Sequence, residues 1–227
     1  MMVSFTYLNS PIEFEEDKIP VLVIENKKLF RDVLFSFLAE MQEEYFTFSK
    51  DYKPFEFNKL GYFISNPINL DFKNKKLMTK INSFLSLTVN NEFAEELVNV
   101  NQSIFTLADK LVSMSSFDLT YDETSVDAAA LIKLLSFQIN TNEQSLCELL
   151  ISVILFMSKY LKTEVFVISN LYVYFSIEEI SEIYKTLLLN HINLLIIEQN
   201  IPPHSQNYES VYIIDNDLCQ IDKEVIK

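Results

Sequence analysis

The chain has 227 residues, of which 49% are hydrophobic and 13% aromatic, and this composition excludes an intrinsically disordered protein. Its formal net charge of −14 excludes overall electrostatic attraction to nucleic acid, so any DNA contact must depend on local lysines or on bound cations. Gly61 is the only glycine, which excludes the glycine-rich phosphate loops of P-loop and dinucleotide-binding proteins.

The sequence carries no recognisable targeting or membrane signal. Its longest uncharged stretches fall short of the roughly 20 apolar residues that a membrane helix needs. The first residues lack the basic start and the apolar run of a signal peptide. Cys147 and Cys219 are the only cysteines, and they lack metal-ligand spacing. We therefore expect a folded protein of the reducing cytoplasm that makes no membrane contact.

The first 75 residues have a mixed α/β pattern. Lys18–Glu25 is a short apolar run with β-branched residues, which predicts a buried strand, and Leu29–Met41 carries apolar residues at helical spacing. In a nucleotide-binding α/β protein, the phosphate loop would lie between such a strand and helix. The junction here, Glu25-Asn-Lys-Lys-Leu29, contains no glycine. We therefore expect the architecture of that class without its nucleotide site.

The middle of the chain, residues 76–150, predicts long helices. One apolar face follows alternating spacings of four and three over roughly five turns. It consists of Phe93, Leu97, Val100, Ile104, Leu107 and Leu111. Such a stripe predicts two or more long helices packed against each other as a hairpin or a coiled-coil-like projection. Further helices are predicted over Val126–Ile139 and Ser145–Lys162.

The final third returns to alternating elements. Glu164–Ser169 and Asn193–Glu198 predict strands, and Ser176–Asn190 between them predicts a helix with a capping box at its start. This order is typical of a β-α-β unit in a parallel sheet. The sequence thus predicts an α/β fold: a degenerate P-loop-like head domain formed by residues 1–75 and 151–227, interrupted by an all-helical leg domain over residues 76–150.

The sequence nominates no catalytic residues. Neither His191 nor His204 lies in a recognisable nucleophile motif, and catalytic use of a histidine needs a positioned partner. Cys147 falls within an apolar helix pattern and is typical of a small core residue. We predict a protein that is not an enzyme.

The densest basic group lies where the predicted head gives way to the predicted helices. It consists of Lys73, Lys75, Lys76 and Lys80. One interpretation is a solvated helix start; the other is a phosphate-contacting patch, because lysines give affinity for DNA that is independent of sequence. Since Arg31 is the only arginine, no evident set of base-reading side chains exists, and any DNA binding is expected to be non-specific.

An acidic, aromatic break, Phe117-Asp-Leu-Thr-Tyr-Asp-Glu123, separates two helical patterns. One interpretation is a helix cap, with Asp122 or Thr124 at the N-cap of the next helix. The other is a calcium site, because hard cations prefer several oxygen ligands, and Asp118, Asp122, Glu123 and Asp127 lie within ten residues. The spacing is not that of an EF-hand. The two interpretations are compatible, since one aspartate can cap while others bind.

In its acidic block, its split α/β pattern and its glycine-free junction, the chain resembles the short Csn-two family, the accessory spacer-acquisition protein of type II-A CRISPR systems. The resemblance spans nearly the whole chain. The matching stretches are Ile19-Pro-Val-Leu-Val-Ile-Glu25, Phe117-Asp-Leu-Thr-Tyr-Asp-Glu123, Leu131-Ile-Lys-Leu134, Lys159-Tyr-Leu-Lys162, Val165-Phe-Val-Ile-Ser-Asn170 and Asn193-Leu-Leu-Ile-Ile-Glu198.

The resemblance implies a homotetrameric ring that threads linear double-stranded DNA through a lysine-lined hole and binds calcium in its helical domain. It also implies partners, namely the CRISPR integrase complex and the RNA-guided effector nuclease, and no catalysis. The family pattern carries over onto Asp118, Asp122 and Glu123, whereas Asp127 is added from its spacing. About two extra residues follow Glu123 relative to that pattern, and a further carboxylate expected there has no counterpart.

The function that we expect is non-enzymatic, calcium-dependent binding of linear double-stranded DNA ends during spacer acquisition. A competing hypothesis is a protein-interaction scaffold. In that case the helical projection would dock partner proteins without contacting DNA, and the acidic block would only cap helices.

Overall fold

The computed structural model describes residues 1–68, 75–138, 145–202 and 207–221. The chain forms two compact units, one from Met1–Leu70 with Thr141–Lys227 and the other from Asp71–Asn140. The predicted α/β fold with a helical insertion is confirmed, since the strands lie in the first unit and the second contains helices. No helix within the described ranges combines the length and the apolar composition needed to cross a membrane.

The strands are β1 (Met2–Phe5), β2 (Ile12–Glu13), β3 (Ile19–Ile24), β4 (Phe46–Lys50), β5 (Lys53–Phe55), β6 (Gly61–Ile64), β7 (Val165–Ser169), β8 (Asn193–Glu198), β9 (Glu209–Ile214) and β10 (Gln220–Ile221). The helices of the first unit are α1 (Lys27–Leu38), α2 (Phe57–Leu60), α6 (Leu146–Leu161), α7 (Leu171–Tyr174) and α8 (Ile177–Leu189). The helices of the second unit are α3 (Lys75–Glu92), α4 (Ala94–Met114) and α5 (Ala128–Leu135).

The larger sheet has the strand order β10-β9-β3-β8-β7-β6, and all neighbouring pairs except β10 with β9 are parallel. Every residue of β3 and β7 is buried, as expected for parallel strands that are covered on both faces. The predicted β-α-β unit is confirmed as β7, α8 and β8, with a capping box formed by Ser176 and Glu179. The smaller sheet, β2-β1-β4-β5, is antiparallel.

The connection between β3 and α1 consists of Glu25 and Asn26 alone. The Asn26 side chain caps α1 by accepting hydrogen bonds from the backbone N–H groups of Lys28 and Leu29, at 3.1 and 3.0 Å. Its amide group donates to the carbonyl oxygen of Asn216, at 2.8 Å. Two of the first N–H groups of the helix, which would cradle a phosphate in a nucleotide-binding protein, are thus already bonded to a side chain.

The expectation that the long helices of the helical unit form a hairpin is wrong. Helices α3 and α4 form no hairpin, because only Phe93 separates them and it keeps helical hydrogen bonds on both sides. Its N–H donates to the Val89 carbonyl oxygen, and its own carbonyl oxygen accepts from the Leu97 N–H. Helix α5 packs against α3 instead. The apolar face of α4 therefore does not meet a second long helix within the described part of the chain, and its Leu107 and Leu111 are about 60% exposed.

The hairpin of β4 and β5 turns through Asp51 and Tyr52, whose φ angles are 50° and 60°. Both residues occupy the left-handed region that a two-residue hairpin turn requires and that favours glycine. Because the Tyr52 side chain is 88% exposed, its contacts offset little of this strain. We expect Tyr52→Gly to raise the free energy of unfolding by about 1 kcal/mol in urea denaturation. Destabilisation by this substitution would contradict the argument.

Candidate metal and DNA-binding residues

The acidic block lies in the segment between α4 and α5, residues 115–127, which contains no helix or strand. One buried side chain of α4, that of Asn101, holds the end of this segment. Its Oδ1 accepts a hydrogen bond from the Val126 N–H at 2.7 Å, and its Nδ2 donates to the Val126 carbonyl oxygen at 3.1 Å. The Asn101 side chain thus bonds both the backbone N–H and the backbone carbonyl group of Val126. These two hydrogen bonds position the start of α5.

A second attachment lies within the acidic block itself. The Tyr121 hydroxyl donates to Oδ1 of Asp109 on α4 at 2.7 Å, and the Tyr121 ring stacks on Phe105 with 6.4 Å between ring centroids. The hydrogen bond to the Asp109 carboxylate, aided by nearby negative charge that includes Glu123, raises the pKa of Tyr121 to about 12. This aromatic residue therefore stays neutral and anchors the block to α4.

The three carboxylates carried over from the family pattern, Asp118, Asp122 and Glu123, are all exposed. Within the described ranges, no group of three or more histidine, cysteine, aspartate or glutamate side chains is gathered closely enough to hold a metal ion. Their chemistry suits calcium, because carboxylate oxygens are the donors that hard cations prefer. Calcium binding at these residues therefore requires their side chains to be drawn together, and it stays a prediction.

Asp127 is the N-cap of α5, where its Oδ1 accepts a hydrogen bond from the Ala130 N–H at 2.7 Å. The alternative that Asp122 or Thr124 caps this helix is wrong, because α5 begins at Ala128, two residues later than the predicted helix. The cap occupies one carboxylate oxygen and leaves Oδ2 for the predicted metal role. Asp127 thus meets the expectation that one aspartate caps while others remain available.

Sequence reasoning missed Asn101 and Asp109, the two α4 residues that hold the acidic block. Asn101 had a detectable signal: it lies between Leu97 and Phe105 at spacings of four, so it is a polar residue on an otherwise apolar helix face. A buried amide there needs a hydrogen-bonding partner. Asp109 had no signal, since its role depends on a tyrosine 12 residues away in sequence.

The predicted DNA-binding lysines lie at the start of the helical unit. Lys73 lies outside the described residues. Lys75 and Lys76 belong to the first turn of α3, and Lys80 lies one turn later and is half-buried. Cations at a helix N-terminus oppose the helix dipole by roughly 0.3–1 kcal/mol each, so helix stability does not account for lysines at this position.

A separate cluster of titratable groups is buried in the first unit. Glu209, at the start of β9, accepts hydrogen bonds from the hydroxyl groups of Tyr172 and Tyr184, the latter at 3.0 Å. Glu198, at the end of β8, accepts from the Tyr172 N–H at 3.1 Å. Burial raises the pKa of Glu198 to about 7, and it raises the pKa of both tyrosines. These hydrogen bonds connect α7, α8, β8 and β9 and give the cluster a structural role.

A protein-family model described as CRISPR-associated protein (Cas_Csn2) matches residues 39–218. The matched range includes the predicted lysines, the acidic block and the β-α-β unit of β7, α8 and β8. No curated protein matches the chain.

Proposed function

The chain belongs to the Cas_Csn2 family of CRISPR-associated proteins, and from this membership we propose that it binds the ends of linear double-stranded DNA during spacer acquisition. In this proposal it is a cytoplasmic, non-enzymatic homotetrameric ring that assists the CRISPR integrase complex and the RNA-guided effector nuclease. The observation that carries the proposal is the family match over residues 39–218.

The net charge of the chain determines what DNA binding requires. With a net charge of −14, each subunit is repelled by a polyanion at long range, so binding requires lysines gathered on one surface. Lys73, Lys75, Lys76 and Lys80 are the proposed contacts with DNA phosphates. Support comes from Lys75 and Lys76 in the first turn of α3, where the helix N-terminus itself attracts anions. Contacts of this kind carry no sequence information.

Calcium is the proposed cofactor, with Asp118, Asp122 and Glu123 as ligands and with Asp127 contributing its uncapped oxygen. All four carboxylates are exposed, so a cation can reach them. Each bound calcium would offset two of the negative charges that repel DNA. It would also order the segment between α4 and α5, which Asn101 and Tyr121 already tether.

A gel-shift experiment tests the proposal with one DNA fragment in linear and in covalently closed form. We expect the protein to retain the linear form in calcium, and its apparent affinity to fall at least tenfold when a chelator is added. Binding of the closed form is expected to stay near background. Equal retention of both forms, unaffected by chelator, would overturn the proposal.

Two sets of variants identify the residues involved. Replacing Lys75, Lys76 and Lys80 together with alanine should reduce the slope of log affinity against log salt by about 0.9 for each DNA phosphate that a lysine no longer neutralises. The control is Lys59→Ala, which removes one lysine charge from an exposed ion pair with Glu56, outside the proposed DNA-contacting group, and should leave the slope unchanged.

For the metal, Asp122→Ala combined with Glu123→Ala should abolish the effect of the chelator. Asp127→Asn preserves the cap of α5, because asparagine also caps helices, and it therefore tests the metal role of Asp127 alone.

The competing function is a scaffold that docks partner proteins through the helical unit. The exposed apolar side chains of α4 favour it, because large exposed apolar patches mark interaction sites. The paired Asp122 and Glu123 variants separate the two functions. If the protein with both substitutions no longer pulls down the other CRISPR proteins but retains DNA binding and metal content, the result would support the scaffold function.

A further inference from the structure

An open cavity of about 510 Å³ lies in the first unit, beside the edge of the smaller sheet. Its volume falls within the roughly 300–1,000 Å³ of small-ligand sites, and most of its wall is apolar. The apolar wall consists of Phe46, Phe48, Pro54, Phe55 and Phe57. The polar residues that line the cavity are Gln42, Glu43, Thr47, Glu56 and Lys59. None of the proposed DNA-binding or metal-binding residues belongs to either set, so the cavity is separate from the sites proposed above.

Gln42 is fully buried, and its side chain has one hydrogen-bonding atom without a partner. Its Nε2 donates to Oε1 of Glu43 at 2.7 Å, which fixes the orientation of the amide, because an ionised carboxylate accepts hydrogen bonds and donates none. The amide Oε1 accepts no hydrogen bond from any described residue. Folded proteins rarely leave a buried carbonyl oxygen without a donor. Because Gln42 lines the cavity, a donor within the cavity would complete its hydrogen bonding.

The lining of the cavity also carries a negative charge that no described cation neutralises. Among the described lining residues, Lys59 is the only cation, and its Nζ lies 2.9 Å from Oε1 of Glu56. Glu43 is exposed and makes no ion pair with a described residue. The unpaired carboxylate and the unpaired amide oxygen therefore belong to adjacent residues, Glu43 and Gln42. A ligand that satisfies both needs a positive charge and at least two N–H groups.

From these features we infer that the cavity is a docking site for an arginine side chain of a partner protein. A guanidinium group is planar and always charged, and it holds several N–H groups in a fixed fork, so it donates to Gln42 Oε1 and to the Glu43 carboxylate together. Its aliphatic stem and its flat cation also suit an aromatic wall, because ring faces attract cations. A lysine ammonium is a point charge without this fork, so it fits the two acceptors less well.

Three observations identify the occupant as another protein. Exposed residues, including Thr47 and Pro54, line the cavity, and such an open site suits a side chain presented by a larger surface, whereas small-molecule pockets bury roughly 70–90% of their ligand. Strand β5 lies at a sheet edge, but Pro54 within it has no N–H, so the partner adds no strand there. Arg31 is the only arginine of this chain, and it already donates to Asp32 at 2.9 Å, so the arginine comes from a different protein.

Calorimetric titration tests the site with N-acetyl-arginine amide, in which the arginine side chain lies between two peptide groups. We expect a dissociation constant of about 1 mM, as suits a single side chain. The citrulline analogue has nearly the same shape but no charge, and it should bind at least about tenfold more weakly, as should the lysine analogue. Equal binding of the three compounds, or no detectable binding of the arginine compound, would overturn the inference.

A second titration identifies the source of the arginine. The probe is the pentapeptide Gly-Ser-Arg-Ser-Gly, in which the same side chain is part of a polypeptide. Docking of a partner protein predicts that the pentapeptide binds at least as tightly as the amide. Markedly weaker binding would show that the cavity takes a free small molecule and would overturn the docking site. Loss of self-association in Arg31→Lys would assign the arginine to a second copy of this chain and would overturn the partner protein.

Gln42→Met tests the buried amide, because methionine has nearly the same length without hydrogen-bonding groups. We expect arginine affinity to fall at least about tenfold, while the free energy of unfolding in urea is no lower than that of the wild type, since the variant removes an oxygen that lacks a donor. Glu43→Gln keeps an acceptor but removes the charge, and it should weaken binding about fivefold. The matched control is Glu44→Gln, which changes an exposed neighbour that does not line the cavity and should bind arginine as the wild type does.

Thr47→Tyr tests the cavity without altering a buried residue. Thr47 is exposed on β4 and lines the cavity, and tyrosine also suits a strand, so its ring should fill the site while the fold is kept. We expect this variant to abolish arginine binding with an unchanged circular dichroism spectrum. Unaltered binding in both Thr47→Tyr and Gln42→Met would place the arginine elsewhere and overturn the site. None of these titrations contains DNA, so their outcome and that of the gel shift are independent.

Discussion

Gly61→Ala is expected to lower the free energy of unfolding by about 3 kcal/mol, even though it adds a single methyl group. A Cβ at position 61 would lie 2.3 Å from the nearest ring carbon of Phe57, well inside van der Waals contact. Backbone conformation is not the cause, because Gly61 has φ −110° and ψ 163°, which any residue adopts. The need for glycine here is a matter of space.

The Phe57 ring has little freedom to move away. It is 4% exposed, and its centroid lies 5.1 Å from that of Phe37 and 4.8 Å from that of Phe48. Gly61 also pairs with Val165 in the parallel ladder between β6 and β7, so a shift of its backbone would disturb the sheet. Both ways of making room for the methyl group therefore disturb the core.

A double-mutant cycle in urea denaturation checks this explanation. Phe57→Leu shortens the side chain that blocks position 61, so Gly61→Ala should cost at least about 1 kcal/mol less in that background than in the wild type. The same cost in both backgrounds would show that contact with Phe57 is not the reason for the glycine.

The second large effect is a dependence of stability on pH through Glu198. Its pKa is about 7 in the folded protein, because burial disfavours the ionised carboxylate, against 4.5 for an exposed glutamate. Between these values the unfolded chain releases the proton while the folded protein retains it. The contribution of Glu198 to stability is therefore complete below pH 4.5 and is lost as the pH rises to about 7, by about 3 kcal/mol in total.

Urea denaturation of wild type and Glu198→Gln between pH 5 and 8 measures this effect. Glutamine keeps the side-chain oxygen that accepts from the Tyr172 N–H and removes the titration. We expect the stability of the wild type relative to this variant to fall with rising pH. Glu16→Gln at an exposed position serves as a control, and its free energy of unfolding should depend on pH as that of the wild type does. A pH-independent difference between wild type and Glu198→Gln would refute the assignment.

Local patterns predicted several elements correctly because their causes lie within a few residues. The capping box of Ser176 and Glu179 and the apolar runs on either side of it predicted the β-α-β unit, and all three elements formed. The missing glycines between β3 and α1 likewise pointed to a junction without a phosphate loop. Asn26, within that junction, caps the helix with its own side chain.

Predictions were less accurate where several neighbouring residues are candidates for the same local role. Four residues of good N-cap type, Asp122, Thr124, Ser125 and Asp127, lie in the six positions before α5. Asp127 takes the role because Asn101, 25 residues earlier than Val126, holds the adjacent backbone in place. Long-range contacts of this kind leave no trace in local spacing.

The apolar spacing on α4 also shows which features local sequence predicts and which it does not. It correctly predicted a long helix with one apolar face, but it could not tell which element, if any, covers that face. Burial depends on what packs nearby, and α5 packs against α3, which leaves the α4 stripe in solvent.

The sequence by itself determined the α/β class with its helical insertion, because this class follows from periodicity and the order of elements. It also determined the family, through the match of residues 39–218 to the family model. Only the tertiary structure decided that Gly61 makes room for Phe57, that Glu198 and Glu209 are buried with two tyrosines, and that the α4 stripe is exposed. These features depend on residues far apart in the chain meeting in space, and packing, not local propensity, sets their energies.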